Sequence, residues 1–147
     1  MAGDIQVMSA GTGISHSEYN RDEDPLKLFQ IWLLPRRRGG KPRWDSRKFP
    51  KADRAGRFIE LASGDPKNAD TLLIRADARV LGATLVAGTT LTHAPARFRH
   101  AYLAPAQGAI LVNGQRVAVG DGIAAIDEPE LTITAEENAE FILVDAA

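Results

Sequence analysis

Ten short apolar or β-branched segments follow one another after Arg57, separated by Gly, Pro, Asn and Asp, with no amphipathic helix among them. They are 58–62, 71–76, 79–85, 89–93, 101–104, 109–112, 116–119, 122–126, 131–134 and 140–144. Branched and aromatic side chains suit a pleated, half-buried surface, and turn residues at such close intervals leave no length for a helix. The sharpest local signal is Asn113-Gly114, set between Ala109-Ile-Leu-Val112 and Arg116-Val-Ala-Val119. A two-residue type I′ turn needs positive φ at both central positions, which Asn and Gly accept at little cost. The pattern predicts an all-β sandwich or small barrel over residues 57–147.

The first 56 residues are organised differently. Ile5 to Ser9 and Leu28 to Leu34 are apolar and of strand length, and the polar run Asn20-Arg-Asp-Glu-Asp-Pro25 between them suits a turn. Residues 1–35 are therefore expected to hold a hairpin. From 36 to 56 the composition turns basic: Arg36, Arg37, Arg38, Lys41, Arg43, Arg47, Lys48, Lys51 and Arg54 are interleaved with Gly39, Gly40, Pro42 and Pro50. This stretch reads as a linker, either a solvated connection that packs Trp44 and Phe49 onto a neighbouring surface or a loop for an acidic or phosphorylated partner with Trp44 as a stacking platform.

Charge weighs for the first of these. Lys and Arg total 18 against 19 for Asp and Glu, so no strong net field draws the chain to nucleic acid or an anionic membrane, and neither is expected as a partner. With 147 residues, 44% of them hydrophobic, the chain has material for one domain and an appendage. It has no cysteine, which removes thiolate chemistry and Cys-ligated zinc and fits a reducing, cytoplasmic setting. Any metal must be held by His, Asp or Glu.

Two such donors stand out. His16 and Glu18 are two residues apart, so in an extended segment they share a face and can reach one ion. They offer one imidazole and one carboxylate, half of the donor set of a non-haem iron, manganese or nickel centre. A polar surface pair is the plain alternative. His93 and His100, seven residues apart, fall on opposite faces of a regular strand and read better as strand-end or surface histidines than as ligands. Gly11-Thr-Gly13 lacks the third glycine and following helix of a dinucleotide loop, and tight-turn geometry accounts for it better.

The spacing Gly13-x2-His16-x3-Asn20 resembles the second motif of the cupin superfamily, in which that His binds metal. The run Asp4 to Asn20, followed by Pro25-Leu26 and by Leu28-Phe-Gln-Ile-Trp32-Leu-Leu-Pro35, resembles the pirin family, bicupin proteins that include quercetin 2,3-dioxygenase-like members. This resemblance implies a cupin fold, a double-stranded β-helix or jelly-roll barrel, with one complete C-terminal cupin over 57–147 and part of an N-terminal cupin over 1–35. It also implies a divalent metal (Fe, Ni, Mn or Zn) in the N-terminal cupin, held by a His-x-His pair, a further His and a Glu. The last two carry over to His16 and Glu18; nothing in the chain matches the His-x-His pair. Laid on the C-terminal part, the cupin motifs put Gly88, Gly108, Gly114, Gly120 and Gly122 at the glycine positions, and Ala94, Ala96, Ala101 and Ala125 at the metal-binding ones. The expectation is a truncated pirin-like protein, an interaction or structural module with an incomplete metal site, paired as a homodimer through its N-terminal hairpin. The competing expectation is a metal-dependent dioxygenase that completes its site through a partner chain or an upstream segment. A third is a binder of a small molecule in the barrel interior.

Overall fold

The computed structural model describes residues 4–96 and 99–147. Its elements are, in chain order, β1 (Asp4–Ser9), β2 (Arg43–Lys48), a 3-10 turn (Lys51–Arg54), β3 (Ile59–Ser63), β4 (Leu72–Leu73), β5 (Ala78–Leu85) and β6 (Thr90–His93). They continue with β7 (His100–Gln107), β8 (Ala109–Val112), β9 (Gln115–Ala118), β10 (Ile123–Ala125), β11 (Leu131–Ala135) and β12 (Ala139–Ala146). Every segment expected after Arg57 carries a strand, although 71–76 shrinks to the two residues of β4. Asn113 and Gly114 both have positive φ, +48° and +83°, and join β8 to β9 as the type I′ turn requires.

Two sheets face each other in a jelly roll. One has six strands in the order β10-β7-β12-β5-β3-β4; the other has four in the order β6-β11-β8-β9. Side chains alternate across each strand, so Leu81, Ala83 and Leu85 of β5 and Phe141 and Leu143 of β12 point between the sheets, where Ile110, Val112, Leu131 and Ile133 meet them. The opposite face of the six-stranded sheet is covered as well. Val80 and Val144 join Phe49, Leu61, Leu72 and Ile74 in a second apolar cluster, against which Ile5, Val7 and Leu33 pack.

The N-terminal third departs from the expected hairpin. Residues 28–34 form no strand; β1 pairs antiparallel with β2 instead, from Asp4 opposite Lys48 to Ser9 opposite Arg43. A strand needs a hydrogen-bonding partner, and the apolar content of 28–34 does not supply one. The sequence Arg43-Trp-Asp-Ser-Arg-Lys48 hides its strand because five of its six side chains are exposed, so no apolar alternation marks it. Its charges suit a sheet edge.

Arginines of the 36–56 stretch, expected to be solvated, bind backbone carbonyls, and one arginine of the barrel binds carbonyls of that stretch. Arg36 donates to Gly64 (2.9 Å), Arg47 to Ala69 (3.3 Å) and Arg75 to Gly39 (3.2 Å) and Lys41 (2.6 Å). Phe49 is buried in the outer cluster, as the packing reading expects, whereas Trp44 stays exposed.

Candidate functional site

The segment bearing the metal motif is anchored at its start. Thr12 donates its backbone N–H to the carbonyl of Gly40 (3.0 Å), and a Cβ at Gly11, where φ is +57°, would lie 2.2 Å from that same oxygen. Only a residue without a side chain permits this approach. Beyond it the backbone of 14–20 runs without regular structure, and His16 and Glu18 are both exposed. Glu18 accepts a hydrogen bond from Gln6 of β1 (Nε2 to Oε1, 2.6 Å).

These residues do not by themselves fit a metal ion. Two exposed donors leave most of a coordination shell to water, and one of the Glu18 oxygens is already engaged. Among the described residues no group of three or more His, Asp or Glu side chains is placed to hold an ion. In the C-terminal barrel, the register sets Ala101 directly opposite Ala125, both buried in the inner core, so two mapped ligand positions of the cupin pattern face each other as methyl groups.

At the same end of the barrel lies a charge cluster that the sequence reading missed. Asp145 of β12, with no exposed surface, follows Phe141 and Leu143 on the inward face. Arg79 of β5 and Arg99, just before β7, both donate to its carboxylate, and Arg99 also reaches its backbone carbonyl (3.0 Å). His93 of β6 completes the set, with Nε2 3.1 Å from Oδ2 and its ring edge-on to Phe58, centroids 5.5 Å apart. Phe58 in turn meets Phe141 edge-on at 5.9 Å. Arg99 extends the network to Asp77 (2.9 Å), which also pairs with Arg36 (3.3 Å).

Burial alone would raise the Asp145 pKa, but the hydrogen bonds from Arg99 and Arg79 outweigh it and hold the carboxyl below the usual carboxylate range. Burial lowers the pKa of His93, and the contact with Asp145 only partly opposes that. At neutral pH the pair is therefore carboxylate and neutral imidazole, with the proton on Nε2 donated to Asp145. An acceptor with its oxygens occupied by two guanidiniums and an imidazole has little capacity left as a general base. The cluster ties β5, β6, β7 and β12 together.

His100 lies elsewhere: it is exposed and paired in register with Ala146, on the face away from His93. The sequence signal for the cluster was present, since Asp145 and Arg79 are charges at inward positions of otherwise apolar strands.

Residues 60–146 match the family described as the quercetinase C-terminal cupin domain, and residues 1–33 match the pirin family. The chain belongs to the pirin family. A pirin-like protein of Caulobacter vibrioides is 55% identical over 147 residues, covering 100% of this chain and 63% of its own length. A quercetin 2,3-dioxygenase of Escherichia coli strain K12 is 34% identical over 145 residues, 98% of this chain and 61% of that protein. The crystal structure of the bacterial pirin YhhW from Escherichia coli in complex with nickel(II) superimposes with a TM-score of 0.89 at 32% identity, over 99% of this chain and 62% of that one. The chain thus spans a little over three fifths of the length of these relatives. No helix among the described residues is long and apolar enough to cross a membrane.

Proposed function

We propose that this pirin-family chain, as it stands, is a non-catalytic module: a jelly-roll body that presents its N-terminal segment for interaction and holds no metal within a single copy. The observation that carries this reading is the isolation of His16 and Glu18, exposed and without a third protein donor among the described residues. Oxygen chemistry at a metal needs fixed geometry and open positions together, and two ligands on irregular backbone fix neither. Among the described residues the barrel offers no second centre, because its interior is filled by side chains and the mapped ligand positions Ala101 and Ala125 carry no donor atoms. A cytoplasmic location belongs to the same reading and is compatible with the lack of cysteine.

A second reading is favoured by the nickel-bound relative and by the open position of His16: a quercetin 2,3-dioxygenase-like site completed by donors from further polypeptide. His16 and Glu18 would then hold a divalent metal (Fe, Ni, Mn or Zn) jointly with those donors. Elemental analysis of untagged protein separates the two. The module reading expects far less than one metal ion per chain, unchanged in His16→Ala and Glu18→Ala. Stoichiometric metal that both substitutions remove would overturn it and establish the second reading.

A further inference from the structure

Residues at the mouth of the barrel line up in one row across the six-stranded sheet. Register sets Ser63 of β3 opposite Arg79 of β5, Arg79 opposite Asp145 of β12, Asp145 opposite Ala101 of β7, and Ala101 opposite Ala125 of β10. Residues opposite one another share a face, and Ala101 and Ala125 belong to the inner core, so the whole row looks between the two sheets. The N-terminal segment packs on the other face, through Ile5, Val7 and Leu33. The row is apolar at its β10 end and polar at its β3 end. Beside the polar end lies a cavity of about 300 Å3, lined by Ser63, Arg79 and Arg99 and by the exposed Arg36, Asp65 and Asp77.

Two donors of this cavity are unused by the protein. Arg79 donates only through Nη2, to Asp145; among the described residues its Nε and Nη1 have no partner, which leaves one edge of the guanidinium fork open. Ser63, only 1% exposed, accepts the Asp65 N–H at Oγ (3.2 Å), and its hydroxyl proton has no acceptor among the described residues. A buried donor without an acceptor is costly. An open guanidinium edge presents two parallel N–H groups, which match the paired oxygens of a carboxylate or a phosphate. Charge chooses between these. Arg36, Arg79 and Arg99 are balanced by Asp65, Asp77 and Asp145, so no surplus positive charge is available for a dianion. The volume is at the low end for ligand pockets, and Gly64, Ala78 and Ala96 complete the wall without charge.

We propose that the mouth of the C-terminal barrel binds a small monocarboxylate, with its oxygens on the open edge of Arg79 and on the Ser63 hydroxyl and its body against Ala78 and Ala96. Asp145 is the positioning residue that fixes the Arg79 fork. All these contacts lie within residues 60–146, the part that matches the C-terminal cupin, and none depends on whether His16 and Glu18 hold a metal.

NMR titration of the isotope-labelled chain with sodium benzoate, at ionic strength held constant with sodium chloride, tests the proposal. Saturable shifts of the amides of 63–65 and 78–79 are expected, with a dissociation constant of about 1 mM or below. Arg79→Lys keeps the charge and a donor for Asp145 but lacks the fork, and should weaken benzoate about tenfold or more. Ser63→Ala lies outside the ion-pair network and should weaken it about threefold to tenfold. Thermal melts and the unshifted remainder of each spectrum check that both variants keep the fold. Inorganic phosphate is titrated in parallel and should bind more weakly than benzoate. The proposal is overturned by the absence of saturable shifts up to about 20 mM benzoate, by shifts confined to other residues, by unchanged affinity in either variant, or by phosphate binding the more tightly. Metal content enters none of these readings, so their failure is separate from failure of the module reading.

Discussion

Replacing Asp145 by Asn tests whether the buried charge cluster holds the end of the barrel together. The substitution keeps the shape and removes the charge, leaving Arg79, Arg99 and His93 with a weaker acceptor. Breaking a fully buried ion pair costs about 3–5 kcal/mol, because the surviving charge stays uncompensated. Here part of that charge can be rehydrated: the Arg79 side chain is 39% exposed, the Arg99 side chain only 16%. Arg99 also keeps Asp77 as a partner. The expected loss at pH 7 is therefore nearer 2–3 kcal/mol, which for a chain of this length lowers the melting temperature by roughly 5–12 °C. The pH dependence has a definite sign. The folded-state pKa of Asp145 lies below its unfolded value, so its contribution is fully present above the unfolded pKa and is lost as pH falls through the folded one. Urea titrations from pH 7 down to pH 3 should show a difference between the two proteins that is constant to about pH 5 and shrinks below about pH 4. A difference under about 1 kcal/mol at pH 7, or one that does not change with acidification, would refute the assignment of stability to this carboxylate.

His93 contributes in the same direction. Its folded pKa is depressed, so stability is gained as pH rises through the window below about 6.5; His93→Gln should flatten that part of the stability profile measured by thermal melts. Asn113 accepts from the Thr132 N–H (2.8 Å) and donates to the Glu130 carbonyl (3.2 Å), besides adopting positive φ, so Asn113→Ala should cost about 1–3 kcal/mol in denaturant titration. Gly82 lies beneath the buried Arg54, and an added Cβ would stand 3.0 Å from both Arg54 Nη1 and Leu61 Cδ1; Gly82→Ala should destabilise by about 1–3 kcal/mol through overpacking. Phe141→Ala, which empties the centre of the inner core, should cost about 3–5 kcal/mol, read by the same titration.

The barrel was legible because its strands advertise themselves twice, by apolar runs facing the core and by turn residues with defined backbone demands. Asn113-Gly114 is the clearest instance: the sequence specifies the sign of φ, and the turn follows. The alanines at the mapped metal positions were legible for a different reason, since motif spacing alone sets Ala101 and Ala125 at matching places, and the register then brings them face to face. Residues 28–34 show where apolarity misleads. Composition describes what a segment can bury, whereas strand formation also needs a neighbouring backbone, and β1 takes its neighbour from the polar residues 43–48. The cluster around Asp145 was harder to read because its partners come from other strands and loops, 46 to 66 residues away in sequence. An inward charge in β12 announces that it needs partners, but only the sheet order shows that Arg79 and Arg99 flank it and that His93 reaches it from the facing sheet.

The six-stranded sheet has apolar clusters on both its faces, one shared with the four-stranded sheet and one with β1, Phe49 and Leu33. That double lining limits how the molecule can be cut. A fragment beginning at Arg57 would retain every strand of the jelly roll, yet lay bare Leu61, Leu72, Val80 and Val144, turning a finished exterior into an adhesive one. Grafting the barrel into another protein would therefore require either carrying the first 56 residues along or repainting that face with polar side chains.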